Sequence, residues 1–192
     1  DVPANVQVIT GKQLGQQRHS DVSEYLDQNP NSVNINAGQG NPFQPDINFR
    51  GFTASPLLGT PQGLSAFIDG VRINEPFGDV VNWDLIPQSA ISSIQIVPGS
   101  NPVFGLNTLG GALGIYTKSG FQYPGASVSV SGGSFGRKQA EFEYGGNNGS
   151  TVDYFLTGNF FDEDGWSEHN PSTVKQLFGK VGWQNDKTDF DV

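Results

Sequence analysis

Hydrophobic and polar residues alternate one by one along the last third of the chain. The alternation runs through residues 126–131, 138–144, 151–161, 174–184 and 188–192. A period of two places successive side chains on opposite faces of a β-strand. Successive strands of this kind build an antiparallel sheet with one apolar and one polar face. The pattern therefore predicts four strands and the beginning of a fifth.

Two architectures fit such a sheet. In a soluble β-sandwich the apolar face is buried in a core, whereas in a transmembrane β-barrel it faces lipid and the polar face lines a lumen. The polar face of this sheet carries strongly hydrophilic side chains, which are Glu141, Glu143, Asp153 and Lys180. Because a wet lumen tolerates such residues, this composition favours the barrel.

The connections between the strands also differ in length. Tight turns are expected at residues 147–150 and 185–187, and a long polar loop at residues 162–173. Short turns on one side and longer loops on the other are typical of outer-membrane barrels. Tyr144 and Trp183 fall level with the tight turns, where interfacial aromatic residues belong. The connections therefore favour the barrel as well.

Composition shifts near residues 121–125, and we place a domain boundary there, between domain 1–122 and domain 123–192. The first domain lacks regular alternation and is predicted to be a small α+β domain. Its short apolar runs predict strands at residues 6–9, 33–35, 47–49, 66–68, 94–97 and 113–117.

Two local signals in the first domain predict specific structures. Asp21 and Glu24 have the spacing of a capping box, which predicts a short helix that ends before Pro30. Asp69 and Gly70 stand between two apolar runs, and a tight hairpin turn favours such residues because it needs positive φ. We therefore expect a β-hairpin around residues 69–70.

Charge and composition exclude several classes of protein. The chain has 192 residues and a net charge of −9, from 10 Lys and Arg against 19 Asp and Glu. This balance argues against a nucleic-acid surface, which needs clustered cations. Without cysteine, disulfides, Cys-ligated zinc and thiol catalysis are excluded. No apolar run approaches the roughly 20 residues of a membrane helix. Because methionine is absent, residue 1 is not a translation start, and we expect an upstream segment that has been processed off or is not included in this sequence.

Candidate catalytic and metal-binding residues are few. The two histidines stand apart, and no Ser/His/Asp or metal-ligand spacing is present. Asp69 is a possible acid of a periplasmic hydrolase, although an aspartate in this context is more typical of a turn. An acidic cluster could offer oxygen ligands to calcium, although its spacing matches no calcium loop; it consists of Asp162, Glu163, Asp164, Glu168 and His169.

A series of short motifs follows in order through the first domain. They are residues 47–52 (INFRGF), 66–71 (AFIDGV), 91–99 (ISSIQIVPG), 103–105 (VFG), 110–111 (GG) and 114–118 (GIYTK). This series resembles the plug domain of TonB-dependent outer-membrane receptors. The opening at residues 2–10 is similar to the start of that plug. The resemblance covers residues 2–120, and the strands beyond it are similar to the beginning of the family's barrel.

The resemblance implies an α+β plug domain followed by the first four to five antiparallel strands of a transmembrane barrel of about 22 strands. It implies uptake of a scarce ligand, such as a ferric siderophore or another metal chelate, without a cofactor or covalent catalysis. The implied partners are the TonB-ExbB-ExbD system and outer-membrane lipid. We expect a TonB box before residue 1 and the remaining barrel strands after residue 192.

The resemblance also implies roles for particular residues. Arg50 corresponds to an arginine that holds the plug to barrel carboxylates, and a planar guanidinium suits that pairing. Pro98 stands where a second arginine is usual, which puts a two-arginine lock in doubt. Ligand contacts are expected from the loops at 53–63 and 75–83. Their candidate residues are Leu57, Gln62, Phe77, Asn82 and Trp83, unless the aromatic ones pack against the barrel wall.

A soluble glycan-binding β-sandwich with an α+β appendage is the alternative. It also explains the alternation and the aromatic residues. It predicts a protein that is monodisperse without detergent, whereas a receptor needs detergent around its barrel. The two hypotheses differ in what covers the apolar face of the sheet.

Overall fold

The computed structural model describes residues 7–10, 33–36, 43–85, 87–100, 104–105, 108–165, 171–185 and 188–191. The helix predicted at residues 21–26 lies outside this part of the chain. The chain divides into two compact units. The first consists of Asp1–Trp83 and Ile91–Thr117, and the second of Asp84–Ala90 and Lys118–Val192.

Strands dominate the described residues. In chain order they are β1 (Gln7–Thr10), β2 (Val33–Asn36), β3 (Asp46–Phe49), β4 (Phe52–Ala54), β5 (Leu64–Ile68), β6 (Val71–Arg72), β7 (Ile91–Pro98), β8 (Gly111–Thr117), β9 (Gly125–Gly132), β10 (Lys138–Asn147), β11 (Val152–Glu163), β12 (Ser172–Gln184) and β13 (Asp189–Asp191). Two short 3₁₀ turns lie at Trp83–Leu85 and Gln88–Ala90. No helix in the described ranges has the length and hydropathy to cross a membrane.

The first unit contains a five-stranded mixed sheet in the order β1-β7-β8-β5-β6. Strands β5 and β8 pair in parallel, and the other pairs are antiparallel. β-branched and aliphatic residues fill the buried side of its central strands, where Ile94 pairs with Ile115 and Ile96 with Leu113. A smaller sheet has the order β2-β3-β4 and buries Phe49. The strands predicted in the first domain agree with these elements.

The hairpin predicted at residues 69–70 is present. Asp69 and Gly70 have φ angles of 46° and 84° and join β5 to β6, with Ile68 paired to Val71. The Asp69 carboxylate accepts hydrogen bonds from the Thr117 backbone N at 2.9 Å and the Thr117 Oγ1 at 2.5 Å. These bonds tie the turn to the end of β8, which gives Asp69 a structural role.

We expect the substitution Asp69→Asn to destabilise the protein by about 1–2 kcal/mol, because hydrogen bonds to a charged group contribute more than neutral ones. Asparagine tolerates positive φ as aspartate does, so the change isolates the carboxylate. Urea unfolding of the full-length protein measures the loss. An unchanged midpoint would show that the two bonds to Thr117 contribute nothing, and a hydrolase acting through Asp69 would instead lose its turnover at unchanged stability.

The second unit contains a five-stranded antiparallel sheet in the order β13-β12-β11-β10-β9, so each strand pairs with its sequence neighbours. The predicted antiparallel strands are confirmed. The turn at residues 148–151 is tight, since the Asn148 Oδ1 accepts hydrogen bonds from the backbone N atoms of Ser150, Thr151 and Val152. The long loop expected at 162–173 is shorter, because the β11–β12 ladder extends to the pair Glu163 and Ser172.

The two faces of this sheet differ in exposure. The apolar face is exposed; its large side chains are Val128, Val130, Phe142, Tyr144, Val152, Tyr154, Leu156, Phe160, Leu177, Val181 and Trp183. On the polar face, Asp153, Thr157 and Asn159 are buried. Phe155 and Phe161 interrupt the sequence pattern because they lie buried on this same face. The sheet therefore lacks the buried apolar face that a β-sandwich requires.

Candidate functional site

Two loops of the first unit, residues 55–63 and 74–82, pack against each other. The Val81 backbone N donates a hydrogen bond to the Ser55 carbonyl oxygen at 3.0 Å. Leu58 lies over Gly78, where a Cβ would come within 2.5 Å of the Leu58 Cδ2. Glycine is favoured at residue 78 by its φ of 75°, and it leaves room for the Leu58 side chain. The two loops form one surface.

The first of these loops is held by its own polar side chains. The Gln62 Oε1 accepts a hydrogen bond from the Ser55 backbone N at 2.9 Å, and its Nε2 donates to the carbonyl oxygens of Ser55 and Leu57 at 3.3 and 3.4 Å. The Ser55 hydroxyl donates to the Asp46 carboxylate. Gln62 therefore stabilises the loop, and Leu57 is exposed beside it.

Asn74 organises the second loop, a role that no motif or pattern in the sequence predicts. Its Oδ1 accepts a hydrogen bond from the Ala66 backbone N at 2.8 Å, and its Nδ2 donates to the carbonyl oxygens of Leu64 and Asp79 at 3.1 and 3.2 Å. The buried amide of Asn74 thus pairs with backbone groups of β5 as a neighbouring strand would. Arg72 adds an ion pair to Asp79 at 2.8 Å.

The remaining predicted ligand residues divide into exposed and internal ones. Phe77 is 78% exposed at the tip of its loop. Trp83 is only 8% exposed, and its Nε1 donates to the Ala54 carbonyl oxygen at 3.4 Å. Asn82 donates to the Glu75 carboxylate. The structure therefore presents three neighbouring apolar side chains, Leu57, Leu58 and Phe77, which we name the loop patch.

Arg50 stands apart from the loop patch, at the turn between β3 and β4. It has a φ of 52° and is exposed, and its guanidinium lies 5.1 Å from the centre of the Phe49 ring. The Asn48 Oδ1 accepts a hydrogen bond from the Gly51 backbone N and supports the turn. The charged group is thus presented at the surface of its unit.

In the second unit, the polar face of β10, β11 and β12 carries a chain of side-chain amides, and we name this face the polar wall. The Gln139 Nε2 donates to the Asn159 Oδ1 at 3.4 Å, and the Asn159 Nδ2 donates to the Gln176 Oε1 at 2.9 Å. The Gln139 Nε2 also lies 3.2 Å from the Glu141 Oε1. Buried polar groups are stable here because they bond to one another.

Residues 84–85 and 87–90, which we name the docked segment, lie on the polar wall. The Ser89 Oγ and the Thr157 Oγ1 share a hydrogen bond of 2.6 Å, and the Gln176 Nε2 donates to the Asp84 carbonyl oxygen. Ser89 and Ala90 are buried. Polar side chains of two strands thus hold the backbone and a hydroxyl of this segment.

The chain reaches the polar wall a second time at residues 118–123. The Lys118 Nζ forms an ion pair with Glu143 at 2.7 Å. The Gly120 backbone N donates to the Asp153 Oδ2 at 2.6 Å, and the Asn147 Nδ2 donates to the Gly120 carbonyl oxygen at 2.9 Å. The residues just before β9 are therefore bonded to the polar wall.

Aromatic residues on the apolar face lie beside the tight turns. The rings of Tyr144 and Tyr154 are 5.6 Å apart, and their hydroxyl oxygens are 3.3 Å apart. Trp183 pairs with Val152 at the same end of the sheet. Amphipathic rings at one level of an exposed apolar face are typical of a membrane interface.

Two members of the acidic cluster near the β11–β12 loop already bind other side chains. Glu163 forms an ion pair with Arg137 at 2.7 Å, and the Asp162 Oδ1 accepts a hydrogen bond from the Thr173 Oγ1 at 2.7 Å. Glu168 and His169 lie outside the described residues. Within the described ranges, no three His, Asp or Glu side chains form a group that could hold a metal ion.

The sheet exposes its apolar face, and a segment from earlier in the chain covers part of its polar face. This arrangement is typical of a membrane β-barrel that contains a plug. Residues 1–112 match the family model described as the TonB-dependent Receptor Plug Domain. The chain therefore belongs to the TonB-dependent receptors and consists of a plug with early barrel strands. This family comprises receptors and transporters of the outer membrane, where the chain is located.

Similar proteins agree with this assignment. The chain is 24% identical over 176 residues to the vitamin B12 transporter BtuB of Vibrio vulnificus, covering 90% of this chain and 27% of that one. Its fold resembles FpvA of P. aeruginosa bound to heterologous pyoverdines, with a TM-score of 0.75, 14% identity and coverage of 100% and 24%. It also resembles BauA, the ferric preacinetobactin receptor of Acinetobacter baumannii, with a TM-score of 0.74, 15% identity and coverage of 98% and 27%. The chain thus spans about a quarter of the length of these proteins.

Proposed function

We propose that this chain forms the plug and first barrel strands of a receptor that takes up a ferric siderophore or another metal chelate. The observation that carries the proposal is the docked segment on the polar wall, behind a face that is open to lipid. A plug held inside a barrel must bond to the wall and still rearrange for cargo to pass. The ligand class is supported by the names of the relatives, which include a vitamin B12 transporter and a ferric preacinetobactin receptor.

The loop patch supplies the proposed ligand contacts. Phe77, Leu57 and Leu58 offer an aromatic ring and two aliphatic side chains on loops that are already ordered by Asn74 and Gln62. An ordered patch loses little conformational entropy on binding, which favours affinity. Gln62 and Asn82 then act by positioning the loops, since their polar groups bond within them. Trp83 acts in the same way by bonding to Ala54, so that the end of the second loop is joined to the start of the first.

Energy for uptake comes, in this proposal, from the TonB-ExbB-ExbD system acting on the plug. Arg50 is proposed to pair with a barrel carboxylate, because its exposed guanidinium has the planar geometry that suits bidentate ion pairs. Pro98 offers no second cation, so Arg50 acts without the second arginine of the usual lock. No cofactor takes part in this scheme.

Ligand titrations of the full-length receptor in detergent test the proposal. Cyanocobalamin, ferric pyoverdine and ferric preacinetobactin are added separately, and quenching of tryptophan fluorescence reports binding. We expect saturable binding of at least one probe, and a loss of about tenfold in affinity for Phe77→Ala, because a buried aromatic contact contributes more than 1 kcal/mol.

The matched control is Val71→Ala, an exposed apolar residue beside the Asp69-Gly70 turn and outside both loops. It should bind as the unsubstituted protein does. Failure of all three probes to bind would contradict the ligand class. Equal affinities for the Phe77 and Val71 variants would remove the loop patch from the ligand site.

A further inference from the structure

The docked segment belongs to a different compact unit from the residues on either side of it. Trp83 before it and Ile91 after it belong to the first unit, whereas Asp84–Ala90 belongs to the second, together with β9 to β13. Its hydrogen-bond partners Thr157 and Gln176 lie on β11 and β12. The docked segment therefore comes from the plug part of the sequence, but its hydrogen bonds are made to the barrel strands β11 and β12.

The bonds of the docked segment are costly to break. Thr157 is fully buried, and its Oγ1 bonds both to the Ser89 hydroxyl and to the Phe142 carbonyl oxygen at 2.8 Å. Removing the segment would cost the Gln176 Nε2 its bond to Asp84 and the Thr157 hydroxyl its bond to Ser89, while Thr157 would keep its bond to Phe142. The segment is therefore held by polar groups that it satisfies.

Residues 118–123 also help to hold the docked segment on the polar wall. The Lys118 backbone N donates to the Ala90 carbonyl oxygen at 2.7 Å, which joins the end of the docked segment to residues 118–123. Those residues are themselves bonded to Glu143 and Asp153 on β10 and β11. The docked segment is therefore fixed to the wall directly, through Ser89, and indirectly, through Lys118.

We propose that the docked segment is a fixed anchor of the plug. It unfolds together with the barrel strands and not with the first unit, and it keeps its place on the polar wall while the first unit rearranges. Only the second of these statements depends on the proposed function, because cooperative unfolding with the strands is independent of any cargo. A plug anchored in this way opens by rearranging part of its chain and does not leave the barrel as one body.

Thiol exposure in urea tests the anchor without a ligand. The chain has no cysteine, so single reporters are introduced as Ser65→Cys in the first unit, Ser89→Cys in the docked segment and Thr157→Cys on β11. All three positions are buried. The full-length receptor in detergent, otherwise free of cysteine, is incubated at increasing urea, and maleimide labelling is measured.

We expect the labelling midpoint of Ser89→Cys to coincide with that of Thr157→Cys and to lie at higher urea than that of Ser65→Cys. A midpoint of Ser89→Cys that coincides with that of Ser65→Cys overturns the proposal, whether or not Thr157→Cys coincides as well. The serine variants are matched, because each replaces a buried hydroxyl that bonds to a threonine at 2.6 Å.

Disulfide variants extend the test to transport. In each pair the two hydroxyl oxygens are 2.6 Å apart, so cysteine sulfur atoms at the same positions start close to each other. In cells given radiolabelled ferric pyoverdine or cyanocobalamin, the oxidised Ser89→Cys/Thr157→Cys variant should keep its uptake, and the oxidised Ser65→Cys/Thr108→Cys variant should lose it. Loss of uptake on oxidation of the first pair contradicts the anchor. Absence of uptake by every reduced variant counts against the proposed function, and thiol exposure then decides on the anchor.

Discussion

Leu177→Arg is expected to destabilise the membrane-embedded protein by about 2–4 kcal/mol, the cost of a cation on the lipid face near the bilayer midplane. Leu177 lies near the middle of β12 on the apolar face and is 73% exposed. If water covered this face, the same change would alter stability by no more than about 0.5 kcal/mol. Urea unfolding of the full-length receptor in lipid vesicles distinguishes the two.

Leu109→Arg is the control for this prediction. Leu109 is also an exposed leucine, 58% accessible, but it belongs to the first unit. Its substitution should leave the midpoint nearly unchanged. If Leu177→Arg were as harmless as Leu109→Arg, the apolar face would not be in contact with hydrocarbon.

Gly120→Ala is expected to cost at least about 3 kcal/mol, at the upper end of what overpacking causes. A Cβ at residue 120 would lie 2.1 Å from the Gly146 carbonyl oxygen and 2.4 Å from the Tyr154 carbonyl oxygen. Both are strand backbone atoms, so no side chain can rotate away to relieve the clash. Residues 118–123 would have to leave the polar wall and lose the Gly120 bonds to Asp153 and Asn147.

Gly179→Ala provides the comparison for Gly120→Ala. Its Cβ would meet only the Leu156 Cδ1, at an ordinary 3.6 Å, so the free energy of unfolding should change by no more than about 0.5 kcal/mol. Urea midpoints of the two variants in the same detergent give the difference. Equal midpoints would mean that the approach of residue 120 to the strands is unimportant for stability.

Local rules identified much of the fold from sequence. Alternation predicted β9 to β13, because successive side chains of a strand point to opposite faces whatever the rest of the fold. Asp69-Gly70 predicted its hairpin, because few residue types adopt positive φ. Phe155 and Phe161 departed from the alternation, since burial on the polar wall depends on what covers that wall. No local pattern describes such coverage.

The candidate site was harder to derive from sequence. Phe77 was expected at the surface and is exposed there, whereas Trp83 is internal because its ring packs and bonds within its own unit. Asn74 gave no signal, since its role depends on backbone atoms of Leu64 and Ala66 that only the folded chain brings near. The docked segment was missed for the same reason, as its partners Thr157 and Gln176 lie far along the chain.

The two sheets differ in how far apart in sequence their paired strands lie. Strands β9 to β13 pair with neighbours in sequence, so each hairpin can close once its two strands are present. In the first sheet, β1 pairs with β7, with Gln7 opposite Ile96, and β5 pairs in parallel with β8. A chain that has entered the periplasm only as far as residue 110 therefore lacks a central strand of its N-terminal sheet, and β5 and β7 stay unpaired on the side of β8 until Thr117 has followed.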